Sequence, residues 1–162
     1  MNTCGFCASD INDKYCNFCQ MELDDKHIMQ DGKRLNQAKK FLGYPDRTEV
    51  YKSTKELMKL ETIHLLCLLR EARSIRAEVY KLRLLRHQAE EQQGMNNEIE
   101  SLENYTYDEY ESATRKVWVI ENIIKDRLGY FPQKVTNNFL NMYLERMEQS
   151  EKKKMFMKKT TN

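Results

Sequence analysis

Apolar residues return every seven positions along the middle of the chain. Met58, Leu65, Ala72 and Val79 form one line, and Leu68, Ile75 and Leu82 form the line beside it. No glycine or proline interrupts residues 46–93. This predicts one long helix with a coiled-coil seam. Its start falls at one of two capping-box spacings, Asp46-x-x-Glu49 or Ser53-x-x-Glu56. Gly94 marks its end, and residues 94–104 read as a polar connection. A second run, Tyr110, Ala113, Val117, Ile120, Ile124 and Leu128, is spaced by threes and fours. It predicts a helix with one buried face, opening near Thr106 and closing at Gly129. Pro132 suits the first turn of a further helix that turns Val135, Phe139, Met142 and Tyr143 inward. A short helix is expected over 33–42, ended by Gly43 and Pro45. The expected class is therefore mainly α, an antiparallel helical hairpin or bundle with one long helix across 33–150. A linker at 25–32 precedes it and a basic tail at 151–162 follows.

Composition agrees with this pattern. Of 162 residues only five are Gly and two Pro, which favours helices. A hydrophobic content of 40% against 32% charged residues excludes a wholly disordered chain. No apolar run reaches the length of a membrane span, so no membrane partner is expected. Met1-Asn-Thr-Cys4 lacks the pattern of a signal peptide, and a cytoplasmic location is expected. In that compartment, closely spaced cysteines are metal ligands rather than disulfides. The net charge of +2 is unevenly spread. Residues 1–30 carry two Lys/Arg against five Asp/Glu, and residues 94–128 carry four against eight. Residues 31–93 carry fourteen against nine, and residues 129–162 seven against three.

The chemistry sits in the first 24 residues. Cys4-Gly-Phe-Cys7 is followed by eight residues and then Cys16-Asn-Phe-Cys19. Each Cys-x-x-Cys can present two sulfurs to one metal. Two such knuckles give a tetrahedral four-thiolate site of the kind Zn²⁺ accepts, with Cys4, Cys7, Cys16 and Cys19 as ligands. A single iron takes the same ligand set, and a redox pair is a further alternative. The stretch resembles the short zinc-ribbon family found at the N-termini of many bacterial proteins. Tyr15 stands where that family has an aromatic residue directly before the third cysteine. Ala8 and Gln20 replace the glycines that usually follow the second and fourth. The resemblance covers residues 4–19 only. It implies one structural Zn²⁺ and a small β-hairpin in a ribbon over 1–24, and no particular activity.

The remaining candidates concern partners. Arg73, Arg76, Tyr80 and Arg83, with His87, fall on one face of the long helix. Such a face suits nucleic acid, and residues 70–87 with the Lys-rich tail form that candidate interface. The other reading, which charge favours, docks this face on the acidic helix and sets Val117 and Trp118 against the long seam. Phe6 and Phe18, one in each knuckle, are either partner contacts or a lid over the cluster. Cys67 reads as a packing residue, and His27, His64 and His87 form no ligand pair. No P-loop, nucleophile elbow or HExxH motif occurs, so no catalytic residue is assigned and an enzyme is not expected. The expected function is that of an adaptor or regulator binding another protein. Direct nucleic-acid binding is the alternative, and self-assembly through the long helix a third reading.

Overall fold

The computed structural model describes residues 1–35, 43–94 and 97–157, without the side chain of Ile99. The chain is mainly helical with a small antiparallel N-terminal part, as the pattern predicts. It divides into two compact units, Met1–Leu42 with Met142–Asn162, and Gly43–Asn141. Lys33–Leu35 of the short helix expected over 33–42 are not helical, and the rest of that helix lies outside the described residues.

The first unit contains β1 (Asn2–Cys4), β2 (Tyr15–Cys16), β3 (Met21–Glu22) and β4 (Ile28–Gln30). β1 pairs antiparallel with β4 through Asn2↔Gln30, Thr3↔Met29 and Cys4↔Ile28, and β2 pairs antiparallel with β3. The segment read as a linker is thus part of the module. Residues Asp25–His27 form a 3-10 turn, and β4 satisfies the backbone groups along β1. A turn at Asp31 (φ 51°) and Gly32 (φ 68°) closes it, and the Gly32 N–H donates to the buried Thr3 hydroxyl. Three residues of strand carry too little alternation to announce themselves in sequence.

The second unit is built on α2 (Thr62–Gln93) and α3 (Asn97–Leu128), preceded by α1 (Thr54–Leu57). They run antiparallel: Arg73 meets Glu121 near one end and Arg86 meets Glu103 near the other. Leu65, Leu66, Leu68, Leu69, Ala72 and Ile75 of α2 are buried with Ala113, Val117, Ile120 and Ile124 of α3. Val50, Leu57, Val135 and Leu140 are also buried. Leu140 belongs to α4 (Asn137–Glu151).

Four expectations need correction. Both capping boxes form, but neither opens the long helix. Asp46 caps a 3-10 helix over Arg47–Tyr51 and Ser53 caps α1. The break before α2 is held by Arg127, whose guanidinium donates to the carbonyls of Met58 and Leu60. α3 starts at Asn97, not Thr106. Thr106 is buried within the helix, and its hydroxyl donates back to the Leu102 and Glu103 carbonyls. α4 begins after Thr136, whose hydroxyl accepts from the Phe139 N–H. Pro132 stays in the loop, where its carbonyl and that of Gln133 accept from Arg73. Trp118 is 56% exposed, although its neighbour Val117 is fully buried.

The seam also departs from a strict seven-residue repeat. Met58 and Leu82 are exposed, while Arg86 is buried. Eighteen residues make five turns of a helix with about 3.6 residues per turn. A straight α2 therefore stacks positions 83 and 86 over positions 65 and 68, and Leu82 rotates off the interface. Arg83 lies over the rings of Tyr107 and Tyr110, and Arg86 pairs with Glu90 and Glu103.

Candidate metal centre

Local backbone geometry builds the site. The first knuckle turns through Ala8, whose N–H donates to the Cys4 carbonyl, and the Cys4 N–H donates to the Ser9 carbonyl. In the second knuckle the Cys19 N–H points at the Cys16 sulfur, 3.4 Å away. Ala8 (φ 63°) and Gln20 (φ 54°) both take the left-handed conformation. These are the two positions where the resembling family carries glycine. The knuckles keep their shape although each side chain pays a conformational cost for it.

The four sulfurs of Cys4, Cys7, Cys16 and Cys19 lie within 4.8 Å of one another. Cys7 Sγ stands 3.5 Å from Cys16 Sγ, and Cys4 Sγ 3.8 Å from Cys19 Sγ. A tetrahedron with metal–sulfur bonds of about 2.3 Å has edges of about 3.8 Å. The sulfurs therefore stand at the spacing of a tetrahedral tetrathiolate site, too far apart for disulfide bonds. Cys4 and Cys16 are fully buried with Ile11 and Leu23 beneath them. The residues fit a metal ion, with Cys4, Cys7, Cys16 and Cys19 as its ligands.

The thiols are electrostatically unequal. Burial pushes the Cys7 thiol up, but hydrogen bonds with Ser9, Cys16 and Cys19 outweigh this and bring it down to about 6. The hydrogen bond with Cys7, reinforced by burial, pushes the Cys19 thiol up to about 12. Four sulfurs competing for protons in one pocket are relieved when a dication replaces those protons. Ser9, whose hydroxyl lies 3.3 Å from Cys7 Sγ, was not singled out from sequence because nothing in the cysteine spacing marks it.

The structure separates the other candidates. Phe6 is 50% and Phe18 76% exposed, so neither seals the cluster. Phe6 tilts against His27 with ring centres 4.9 Å apart. On α2, Arg73 is largely occupied by Glu121 and two loop carbonyls. Tyr80 stacks at a tilt on Tyr110, and Arg83 lies over the same ring. Arg76 is half-buried. Cys67 is buried, and burial pushes its thiol up to about 11, which suits a packing role. No described helix is long and apolar enough to cross a membrane.

The fold and the site define a class: a chain dominated by a long helical hairpin that also carries a cluster of four cysteines placed to hold a metal ion. No protein-family model, curated protein or solved structure matches this chain.

Proposed function

We propose that the centre holds one structural Zn²⁺ and that the module is a zinc ribbon serving a non-enzymatic adaptor or regulator that binds another protein. The observation that carries this reading is the exposure of Phe18 (76%) and Phe6 (50%), one on each knuckle. Tyr15 and Met21 add exposed apolar surface from β2 and β3. Aromatic side chains left in water on a metal-fixed scaffold are characteristic anchors for a protein partner. The acidic balance of residues 1–30 makes the same surface a poor match for phosphate. Two of the three arginines that suggested nucleic acid are turned toward α3, Arg73 into an ion pair with Glu121 and Arg83 onto the rings of Tyr107 and Tyr110.

The test is capture from nuclease-treated extract of the native host, with a photoreactive group in place of the exposed Met21. A crosslinked protein partner that is lost in the Phe6→Ser/Phe18→Ser double variant, with metal content unchanged, supports the reading. Salt-sensitive binding to random DNA or RNA that disappears in the Arg73→Gln/Arg76→Gln/Arg83→Gln variant supports the nucleic-acid alternative instead.

Self-assembly through the long helix has an observation of its own. Leu82, Leu84 and Leu85 are exposed together on α2. A native mass spectrum that shows dimers, and that reverts to monomer on Leu82→Lys/Leu85→Lys substitution, favours this reading.

A further inference from the structure

The basic tail does not stand apart from the metal module. The Met155 N–H donates to the Gly32 carbonyl at 2.8 Å, and Arg34 Nε donates to the Lys153 carbonyl at 2.8 Å. Gly32 is fitted to this approach. A Cβ there would stand 2.4 Å from the Met155 carbonyl oxygen, a distance no side chain tolerates. Lys154 and Met155 also line an open cleft of about 420 Å³ together with Cys7, Ser9 and Arg34. Residues 154–157 are thus seated beside the first knuckle.

We propose that the metal module holds the basic tail in cis, and that loading of the four-cysteine centre controls its release. The inference rests on the metal reading above and extends it to the tail. The route is structural. Cys4 ends β1, β1 holds β4 in register, and β4 leads into the Asp31–Gly32 turn. That turn presents the Gly32 carbonyl to Met155 and leaves room for the Met155 carbonyl. A module that loses its metal loses the register of β1 and β4, because so small a core folds around the ion. The seat of the tail goes with it. Charge acts in the same direction. The module is acidic, and Lys152, Lys153 and Lys154 are followed in sequence by Lys158 and Lys159. Lys154 is among the cations that hold the Asp31 carboxyl below its ordinary range, after the N-terminal ammonium that bonds it directly. Lys152, Lys153 and Lys154 are exposed to solvent while the tail is seated, and release frees them to move away from the acidic module.

The experiment uses the full chain, loaded with zinc or stripped by chelator. A lysine-specific endoproteinase is applied to each, and cleavage between Lys152 and Lys154 is followed by mass spectrometry. Metal content is measured on the same samples. Zinc-loaded protein is expected to be cut in the tail about tenfold more slowly than stripped protein. Met155→Pro removes the N–H that meets Gly32 and leaves every cysteine in place. It should keep its zinc and be cut as fast as stripped wild type, and Gly32→Ala should match it. Equal cleavage of loaded and stripped wild type overturns the proposal while leaving the metal centre intact. So does a loaded Met155→Pro protein that is cut as slowly as loaded wild type. A chain that takes up no metal overturns both readings.

Discussion

Among the described residues, seven pack the core of the cysteine module: four are cysteines and three are Ile11, Leu23 and Ile28. The α2–α3 hairpin needs no such help. Its core is a continuous stack of leucine, isoleucine, valine and alanine, with Leu65, Leu66, Leu68 and Leu69 all buried. The difference is one of size. A chain of some thirty residues cannot remove enough apolar surface from water to order itself, and a metal supplies what burial does not. The hairpin shows a second contrast along its own length. Aliphatic packing holds the end near Leu68, while ion pairs and arginine–tyrosine contacts hold the end near Arg86.

The largest effect should come from Cys16→Ser. The module should lose its metal and its fold, because metal binding is worth about 10–16 kcal/mol in sites of this kind. Nuclear magnetic resonance should show collapsed dispersion for residues 1–32, with the signals of α2 and α3 in place. Loss of the helices too would mean that the two regions are not held independently.

Leu68→Ala should come next, at about 2–5 kcal/mol in urea unfolding of the helical part. Leu82→Ala, at the same place in the heptad, should change stability by no more than about 0.5 kcal/mol. Equal costs would return α2 to a supercoiled seam and end the contrast between its two halves. Arg73→Ala should fall between them, at about 1.5–3 kcal/mol, since it removes charge-assisted hydrogen bonds to Glu121 and the Pro132 and Gln133 carbonyls. A charge-only role would predict rescue by Arg73→Lys. The forked contacts predict that lysine restores only part of the loss.

The smallest effect sharpens the picture of the module. Ala8→Gly and Gln20→Gly should each relieve about 1 kcal/mol of left-handed strain. Competition with a chelator should read this as zinc held about fivefold more tightly. No gain from either would mean that the knuckles relax in solution to conformations these side chains tolerate.

The metal ligands were legible because a Cys-x-x-Cys pair fixes two sulfurs by local geometry alone, whatever the rest of the chain does. The long helices were legible because dozens of residues share one period. What escaped was decided by tertiary partners. Thr106 has the sequence of a cap, yet its hydroxyl serves the preceding turn of a helix already under way. β4 is three residues long and has meaning only opposite β1. Leu82 fits the heptad, but the straight helix turns it to solvent and brings Arg86 inward. Trp118 lies one residue beyond a fully buried Val117, and a step of one residue carries a helical side chain off the buried face. The seat of the tail on Gly32 joins residues more than a hundred positions apart, and no spacing rule reaches that far.

The fold of the cysteine module turns on the metal. Native mass spectrometry of the purified chain, before and after Cys7→Ser substitution, tests it most directly. The expected result is about one zinc per wild-type chain and none in the variant. A wild-type chain that carries no metal, or a variant that keeps it, would contradict a four-cysteine centre as the element on which this module is built.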